Sequence, residues 1–452
     1  MTADKVKIEI PERANFIIKT LMEAGFEAYV VGGCVRDSIL GRVPQDWDIT
    51  TSADPYRVKE LFRRTVDTGL QHGTVTVMLG DEGFEVTTYR LDGIYEDGRH
   101  PKEVTFTREL REDLRRRDFT INAMAYNDEE GLVDMFDGLG DIDRKLIKCV
   151  GDPHERFSED ALRMLRAVRF AAQLGYEIDE DTEKAIIDLA GNLEKISAER
   201  IHTELIKLLV SDHPMELKKA YETGMTAVFL PEFDDIMKTP QKHLHHCYDV
   251  GEHTLISINN IRPDPVLRLA MLFHDIAKSK TITVDEDGTT HFRGHPAKSA
   301  EMAKLVLRRL KMDNDTINKV SILVKYHDYG YSLKPEEKFI RRAINKIGKD
   351  NFPLLLEVKK ADVLAQSEYK RAEKLENISE WDRIYKEILE RGECVSIKEL
   401  KINGSDLIGL GAKPGPKIGD ILSKLLDEVL DEPEKNNPEY LKNRAKELLS
   451  EK

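Results

Sequence analysis

The spacing of hydrophobic positions changes along the chain, and the first 150 residues mix helical and strand-like patterns. Apolar residues recur at helical spacing over 13–24, and Gly25 ends that stretch. Residues 27–32 (EAYVVG) form a short apolar run that predicts a buried strand. Apolar and polar residues alternate over 74–79 and 84–89, and the Gly-Asp-Glu-Gly segment between them predicts a hairpin turn. Together these patterns indicate a mixed α and β region.

From Asp152 onward the apolar residues follow helical spacing, with few β-branched runs. Helices are predicted over 157–174, 181–193, 197–210 and 215–223. The helical character continues to the end of the chain, with interruptions at 261–265, 282–292 and 411–419. The sequence therefore predicts the α+β class, with a mixed head followed by a long all-α body.

The composition predicts a soluble protein that is rich in helix, because 40% of its 452 residues are hydrophobic and 34% are charged. No run approaches the roughly 18 apolar residues of a membrane span, and the first residues lack the pattern of a secretory signal. The four cysteines are widely spaced and form no CxxC pair, so they predict neither a disulfide framework nor a zinc site. We therefore expect a cytoplasmic protein without a membrane partner.

The formal net charge of −14 argues against indiscriminate binding to nucleic acid, which usually requires a basic surface. Arginines are nevertheless concentrated locally, at 111–117 and at 156–169. Because such clusters can bind nucleic acid on one surface, the global charge weakens the case for a nucleic-acid enzyme without deciding it.

The stretch 32–49, GGCVRDSILGRVPQDWDI, places two carboxylates in a segment that is predicted to be extended. In a strand Asp46 and Asp48 would share one face, about 7 Å apart, while Trp47 and Ile49 would face the core. Two acids held in this way repel each other unless a cation joins them. Oxygen ligands of this kind suit Mg²⁺, so the pair predicts a magnesium site.

A third carboxylate and a phosphate-binding turn complete this candidate site. Glu85, flanked by apolar neighbours, is predicted on the same face and would allow a two-metal displacement at phosphorus. Gly33 lets backbone N–H groups approach phosphate closely, and Arg36 adds charge-assisted hydrogen bonds. A solvated loop is the alternative for a lone DxD sequence, but the upstream glycines and arginine favour a catalytic site.

Three motifs, in this order, resemble those of class II tRNA nucleotidyltransferases and bacterial poly(A) polymerases, within the DNA polymerase β superfamily. They are the stretch 32–49, RRDFTINA at 116–123 and EDALRMLR at 159–166. The resemblance extends over roughly residues 28–210. It implies a polymerase-β-like nucleotidyltransferase head with a mixed sheet, and it implies that Arg117 contacts the triphosphate.

The third motif contains a candidate for base selection. On a helix Asp160 and Arg163 would form one edge that accepts a hydrogen bond from an amine and donates one to a ring nitrogen. Cytosine and adenine present that pattern, whereas uracil and guanine present the opposite one. An intrahelical salt bridge of small energy is the alternative. Arg166 and Arg169 continue around the helix and are expected to reach phosphate or tRNA.

Residues 92–104, DGIYEDGRHPKEV, contain glycines and a proline that predict a mobile loop. The resemblance implies a use for it, because relatives that add the terminal A keep a flexible loop here and CC-adding relatives have a shortened one. The length of the loop therefore favours complete CCA addition.

Eight of the 13 histidines follow residue 240, and four positions there resemble the H…HD…D pattern of the HD phosphohydrolases. His274 and Asp275 end an apolar helix, with His253 upstream and Asp362 downstream. Mixed histidine and aspartate ligands suit Mn²⁺, Ni²⁺ or another divalent transition metal better than Mg²⁺. A water bound to that metal would attack a phosphoester.

Two further histidines, His295 and His327, are candidates for a second metal or for a phosphate contact. The resemblance to tRNA nucleotidyltransferases with an HD domain implies 2′,3′-cyclic phosphate or 2′-phosphate ends as hydrolytic substrates. The alternative is a set of histidines with a purely structural role.

The predicted domains are a nucleotidyltransferase head at 1–150, a helical neck at 151–236, an HD domain at 237–366 and a helical tail at 367–452. The expected activity is addition of C, C and A to the 3′ end of tRNA from CTP and ATP, with Mg²⁺ in the head. An A-adding enzyme or a poly(A) polymerase shares the head motifs. An HD phosphohydrolase with a nucleotide-sensing head and a non-catalytic tRNA-binding protein are less favoured, because the DxD pair is intact.

Overall fold

The computed structural model describes residues 3–93, 104–330 and 335–450. The chain divides into two compact units, Met1–Pro231 and Glu232–Lys452. Most of the predicted loop at 92–104 lies outside the described residues.

The first unit contains the main sheet. Its strands are β1 (Ala28–Val31), β2 (Ile49–Thr51), β3 (Thr65–Gly69), β4 (Thr74–Leu79), β5 (Glu82–Thr88), β6 (Arg90–Asp92), β7 (Val104–Phe106), β8 (Met124–Asn127), β9 (Gly131–Asp134), β10 (Leu146–Ile147) and β11 (Glu177–Ile178). Seven of them form one sheet in the order β3-β4-β5-β2-β1-β8-β9. Strand β2 pairs in parallel with β5, whereas β4 and β5 form the predicted antiparallel hairpin. All four residues of β1 are buried, because this strand lies between β2 and β8.

Helices cover the remainder of the first unit. They are α1 (Glu12–Glu23), α2 (Gly33–Ile39), α3 (Pro55–Leu61), α4 (Leu110–Arg115), α5 (Gly138–Arg144), α6 (Pro153–Glu159), α7 (Leu162–Leu174), α8 (Glu180–Leu189), α9 (Ala198–Leu209), α10 (Leu217–Glu222) and α11 (Thr226–Phe229). Helix α1 matches its prediction because its buried residues, Ala14, Ile17, Ile18 and Leu21, follow helical spacing. The mixed sheet with these helices confirms the predicted α+β class.

One predicted helix is wrong as a single element. The segment 157–174 is divided between α6 and α7, and the break is at Asp160. The Asp160 side chain accepts a hydrogen bond of 3.0 Å from the backbone N–H of Leu162, at the start of α7. Aspartate competes in this way for free N–H groups at helix starts, so apolar periodicity alone did not reveal the boundary.

The second unit is predominantly helical. Its helices are α12 (Pro231–Met237), α13 (Val250–Asn259), α14 (Pro265–Phe273), α15 (His295–Arg309), α16 (Asn314–Tyr326), α17 (Glu337–Ile347), α18 (Phe352–Ala365), α19 (Arg371–Glu390), α20 (Gly404–Gly409), α21 (Pro416–Asp431) and α22 (Pro438–Ser450). The strand-like segment 282–292 forms a small hairpin of β12 (Thr283–Val284) and β13 (Thr290–His291). Across the described ranges, no helix combines the length and apolar character needed to cross a membrane.

Candidate functional site

The two glycines of the first motif form the turn between β1 and α2. Gly32 has a φ of +84°, a conformation that strains residues with a side chain. A Cβ atom at Gly32 would lie 2.8 Å from Nη1 of Arg117, so the absence of a side chain allows this arginine to pack on the turn. Arg117 also lies 3.6 Å from the buried carboxylate of Asp113. Its Nε is buried and has no hydrogen-bond partner in the described part of the chain.

Three carboxylates lie close to this turn. Ile49 pairs in parallel with Val86, and Asp48 and Glu85 directly precede these two residues. The two acids therefore lie on adjacent segments at the same level of the sheet. Desolvation raises the pKa of Asp48; Arg117 opposes this shift and the charge of Asp46 adds to it. Desolvation and the charges of Asp48 and Asp46 likewise raise the pKa of Glu85. The three acids therefore share one electrostatic environment, which a divalent cation would stabilise.

The local backbone of the acidic pair differs from the prediction. Strand β2 begins only at Ile49, so Asp46 and Asp48 belong to the loop that precedes it. Pairing with the sheet begins where Val31 N–H donates to the carbonyl of Asp48, at 3.0 Å. Ile49 is buried as predicted, whereas Trp47 is only half-buried. The expected strand alternation across the pair is therefore wrong, although the carboxylates remain neighbours.

Arg36 lies against the other side of the same turn. It is only 8% exposed, and its guanidinium donates to Asp37 and to the side-chain oxygen of Asn122. Its Nη2 is 3.7 Å from the position of a Cβ atom on Gly33, and its guanidinium carbon lies 5.0 Å from the ring centre of Phe170. Arg36 therefore supports the turn with its charge close behind Gly33.

The arginines of α7 are held by buried acids. Arg166 donates to Asp118 through Nε at 2.9 Å and through Nη2 at 2.5 Å, and this arginine lowers the pKa of Asp118 despite its burial. Arg169 donates to Glu204 at 2.7 Å and lies 3.6 Å above the ring of Phe170. Burial lowers the pKa of Arg169 to about 10. Arg169, which is 6% exposed, is thus placed to fix the helix rather than to contact phosphate.

Asp160 and Arg163 do not form the predicted helical edge. Asp160 precedes α7, and its carboxylate accepts two hydrogen bonds from Arg200, at 3.2 and 2.6 Å. Arg163 instead donates to Glu159 at 2.7 Å and to the carbonyl of Arg116 at 3.0 Å. The alternative of an Asp160–Arg163 salt bridge is not found among the described ion pairs either. Sequence reasoning missed Arg200, because this partner lies 40 residues further along the chain.

The close contact between Gly32 and Arg117 gives a testable expectation. We expect Gly32→Ala to displace Arg117 and to raise the KM for nucleotide, because a Cβ atom there cannot fit. Gly41→Ala is the matched control, since Gly41 also has positive φ, +69°, but nothing lies within 4 Å of its Cβ position. Gly41→Ala should lower the free energy of unfolding by about 1–2 kcal/mol. Gly32→Ala should lower it more, because its ψ of −127° lies outside the left-handed helical region and its Cβ atom would meet Arg117. Only Gly32→Ala should raise KM, and equal KM values in steady-state kinetics would contradict this role of Arg117.

A second group of chemically active side chains lies in the second unit. It comprises His253, His274, Asp275, His295, His327 and Asp362 and is called here the histidine–aspartate cluster. Two sets of ligand atoms, each within 4.8 Å of one another, are His253, His274 and Asp362, and Asp275, His295 and His327. The structure thus brings together all four residues of the predicted pattern and both additional histidines.

Asp275 lies between the two sets. Its Oδ2 is 3.2 Å from Nε2 of His274, and its Oδ1 is 3.1 Å from Nε2 of His295. Lys278 Nζ is 2.7 Å from Oδ2 as well. Despite complete burial, these charges keep the pKa of Asp275 well below its ordinary value. Lys278, which sequence reasoning missed, follows Asp275 by one helical turn.

The backbone fixes the orientation of the histidine rings. Nδ1 of His274 lies 2.7 Å from the carbonyl of Met271, and Nδ1 of His327 lies 2.7 Å from the carbonyl of Val324. Corresponding carbonyls lie 3.3 Å from Nδ1 of His253 and 2.8 Å from Nδ1 of His295. Because a carbonyl can only accept, each Nδ1 carries a proton, and each Nε2 then has a lone pair when its ring is neutral.

These lone pairs face one another. Nε2 of His253 is 3.2 Å from Nε2 of His274, and Nε2 of His295 is 3.3 Å from Nε2 of His327. Facing acceptors at such distances are unfavourable unless a proton or a metal ion lies between them. Nitrogen and carboxylate donors with fixed second hydrogen bonds fit a divalent transition metal. The donor chemistry of the cluster therefore fits a metal centre.

Comparisons with known proteins agree with the sequence motifs. Residues 28–148 match the poly A polymerase head domain, residues 175–237 match the RNA and SrmB-binding site of polymerase A, and residues 295–445 match tRNA nucleotidyltransferase domain 2. The CCA-adding enzyme of Pediococcus pentosaceus is 35% identical, with 97% of this chain and 98% of the relative covered. That of Levilactobacillus brevis is 37% identical, with 93% of each covered.

A solved structure shows the same similarity. The CCA-adding enzyme of Bacillus stearothermophilus, determined in complex with CTP, is 29% identical. It aligns with a TM-score of 0.72 over 97% of this chain and 98% of that chain. The chain belongs to the family of CCA-adding enzymes.

Proposed function

We propose that this protein adds C, C and A in sequence to the 3′ end of tRNA, with CTP and ATP as donors. In each step the terminal 3′-oxygen forms a bond to the α-phosphorus, the bond to the β-phosphate oxygen breaks, and pyrophosphate leaves. The convergence of Asp46, Asp48 and Glu85 beside the Gly32–Arg117 contact carries this proposal. Family membership supports it independently. We expect the reaction to occur in the cytoplasm.

Each head residue is assigned a role that follows from its chemistry. Nucleotidyltransferases of this class use a divalent metal, and the oxygen-only donors Asp46 and Asp48, with Glu85 as a third carboxylate, suit Mg²⁺. These carboxylates would hold Mg²⁺, whose positive charge would lower the pKa of the 3′-hydroxyl and neutralise the triphosphate. Arg117 and the backbone N–H groups at Gly33 bind the triphosphate, and Arg36 supports that turn from behind.

Base selection is assigned to the region of Asp160 and Arg163. Each side chain has a second partner, Arg200 for Asp160 and Glu159 for Arg163, which holds it in one orientation. The two side chains do not share one helical face, but a carboxylate and a guanidinium held separately can still accept from the amine and donate to the ring nitrogen that cytosine and adenine present. Arg166, held by Asp118, lies on the same helix and is assigned to the tRNA or phosphate side. Arg169 is assigned a supporting role because of its burial.

This assignment predicts a loss of discrimination. We expect Asp160→Ala and Arg163→Ala to raise misincorporation of UTP and GTP by about tenfold or more, because a charged hydrogen bond contributes about 1.5–3 kcal/mol. The measurement is the ratio of kcat/KM for CTP to that for UTP on one tRNA. Lys184→Ala, which removes an exposed ion pair with Asp181, serves as the control. Slower turnover with an unchanged ratio would make both residues structural.

The proposed addition reaction can be tested by leaving out one nucleotide at a time. Purified protein is incubated with a tRNA that lacks its last three nucleotides, and product length and pyrophosphate are measured. CTP alone should extend the tRNA by two nucleotides, ATP alone should give no extension, and both together should give three. Extension by ATP alone would instead support a poly(A) polymerase, and no extension by CTP would support an A-adding enzyme, which needs an end that already carries CC.

The histidine–aspartate cluster supports a second function, a metal-dependent phosphohydrolase. The facing Nε2 lone pairs favour this function over a purely structural cluster. Mn²⁺ or Ni²⁺ suits the donors, with His253, His274, Asp275 and Asp362 as the first ligands. The substrate would be a tRNA with a blocked 2′,3′ end, whose hydrolysis would restore the hydroxyl group that the head requires.

The proposed domains remain the head at 1–150, the neck at 151–236, the HD domain at 237–366 and the tail at 367–452.

A further inference from the structure

Asp113 is a fully buried carboxylate of the first unit, and the addition reaction as proposed above gives it no role. It lies in α4, three residues before Arg116 and four before Arg117, spacings that bring side chains together at the end of a helix. Arg116 donates to Oδ1 at 3.0 Å through Nε and at 2.7 Å through Nη2. Nη2 of Arg117 lies 3.6 Å from Oδ2. One buried acid therefore faces two arginines of the second motif.

The carboxylate of Asp113 is also fixed from the side of the sheet. The hydroxyl of Thr50, two residues after Asp48 in the sequence, donates to Oδ2 at 3.1 Å. Thr50 belongs to β2 and is itself fully buried. Burial alone would raise the pKa of Asp113, but the charges of Arg116 and Arg117 hold it below its ordinary value. Asp113 is therefore ionised, and its orientation is set by groups on both sides.

Arg117 is held between Asp113 and the glycine turn. Its Nη1 would lie 2.8 Å from a Cβ atom at Gly32, and its Nη2 faces Asp113. At 3.6 Å the contact with Asp113 is an ion pair without a hydrogen bond, so it does not use the N–H groups of the guanidinium. Asp113 thus restrains Arg117 and leaves its donors available for a triphosphate.

The three acids of the head, Asp46, Asp48 and Glu85, would otherwise attract this arginine. The charge of Arg117 already acts on Asp48, where it opposes the rise in pKa that desolvation causes. Arginine pairs strongly with carboxylates, and a bidentate pair with Asp48 would occupy the oxygens that the proposed Mg²⁺ site needs. Within the ranges that the structure describes, no ion pair joins Arg117 to any of these acids.

We propose that Asp113 is a positioning residue for nucleotide binding, which keeps Arg117 beside the acids of the head but not bound to them. This inference rests on the proposed addition reaction and deepens it. Without the charge of Asp113, Arg117 should move to Asp48, and the site would lose a triphosphate contact and part of its affinity for Mg²⁺. Arginine and metal would then compete for the same oxygens, so added Mg²⁺ should release Arg117 again.

The competing interpretation is that Asp113 only stabilises the fold. Asp141 provides the matched control, because it is a buried aspartate of the same unit with equivalent partners. The hydroxyl of Thr120 donates to Asp141 at 2.6 Å, and Arg144, three residues later, also donates to it at 2.6 Å. Neither of these partners is assigned to nucleotide or metal. Asp141→Asn should therefore lower the melting temperature without changing nucleotide binding.

The test measures the equilibrium dissociation constant of CTP on the full-length protein at low and at saturating Mg²⁺, alongside KM, kcat and the melting temperature. We expect Asp113→Asn to weaken CTP binding about tenfold at low Mg²⁺, which is the effect of about one charged hydrogen bond. The loss should shrink as Mg²⁺ rises, and kcat at saturating CTP and Mg²⁺ should stay within about threefold of the wild type. Arg116→Gln and Asp141→Asn should bind CTP like the wild type at both Mg²⁺ levels.

A second variant keeps the test decisive if Asp113→Asn does not fold. That substitution leaves two arginines without the acid they share, and uncompensated buried charge is destabilising. The double variant that combines Asp113→Asn with Arg116→Gln removes one of these positive charges together with the acid. It should show the same loss of CTP binding and the same recovery with Mg²⁺.

The outcomes separate this inference from the function on which it rests. If the variants without Asp113 melt at lower temperature but bind CTP like Asp141→Asn, Asp113 is structural and the inference is wrong. A loss that does not change with Mg²⁺, or an equal loss in Arg116→Gln alone, would also overturn it. If the wild type neither binds CTP nor adds it to tRNA, the proposed addition reaction itself fails, and the inference fails with it.

Discussion

Asp48→Asn is expected to lower the rate of both C addition and A addition by about a thousandfold or more. The metal that these carboxylates are proposed to hold would stabilise transition-state charge by several kcal/mol, and each 1.36 kcal/mol corresponds to a factor of ten in rate. The same carboxylates serve every step, so the loss should be equal for C and for A. Single-turnover rates on tRNAs that end before the first C and after CC provide the measurement.

The same substitution should not harm the fold. The pKa of Asp48 is raised in the folded state, mainly by desolvation, with Arg117 opposing the shift and Asp46 adding to it. A carboxylate with a raised folded-state pKa contributes stability at low pH that is lost as pH rises through that pKa. At pH 7 the ionised Asp48 therefore lowers the free energy of unfolding, and asparagine should leave it unchanged or higher.

A matched control separates catalysis from general effects of charge. Asp81 is exposed in the turn between β4 and β5, and Asp81→Asn should retain wild-type rates. If Asp48→Asn retained C addition within tenfold of the wild type, the assignment of the carboxylates to the catalytic metal would be wrong. A loss of activity with a lower melting temperature would indicate damage to the fold instead.

The second large effect is expected at Asp275, between the two ligand sets of the histidine–aspartate cluster. Asp275→Asn should eliminate phosphohydrolase activity and most of the bound transition metal, because its two oxygens face His274 and His295. Addition of nucleotides to an unblocked tRNA should stay within about twofold of the wild type. The measurements are metal analysis by mass spectrometry and hydrolysis of a tRNA with a 2′,3′-cyclic phosphate, with Mn²⁺, Ni²⁺ or Mg²⁺.

Loss of this carboxylate also has a cost in stability. Removing one partner of a buried charge pair typically costs about 3–5 kcal/mol, and Lys278 would lose its partner at 2.7 Å. The addition activity therefore serves as the internal check that the variant is folded. Asp315→Asn, at an exposed ion pair with Lys319, is the matched control and should change neither activity. Hydrolysis by Asp275→Asn at the wild-type rate would exclude the cluster as its site.

Local patterns predicted the elements whose residues pack in a regular way. Helix α1 and the β4–β5 hairpin match their predictions, because the period of their buried residues is the period of the element. The loop position of Asp46 and Asp48 was not predictable in this way, since alternation over a few residues does not show where pairing with Val31 begins. The break at Asp160 was missed for a similar reason, because the hydrogen bond from the Leu162 N–H to the Asp160 side chain marks a helix boundary that the apolar period does not show.

The site contacts that the sequence did not predict join residues that lie far apart in the chain. The motifs predict one site for Arg117 and the acidic pair although these residues belong to two separate motifs, and the structure packs Arg117 against the Gly32 turn near Asp48. Arg200 as the partner of Asp160, and Glu204 as the partner of Arg169, depend on how α7 and α9 pack.

The central claim is that one head site builds the sequence CCA and then stops. Sequencing the 3′ ends of a tRNA lacking its last three nucleotides, after incubation with all four nucleoside triphosphates, tests it most directly. The wild-type protein should leave ends that carry CCA and no further residue. Runs of A, or ends of mixed sequence, would contradict the account.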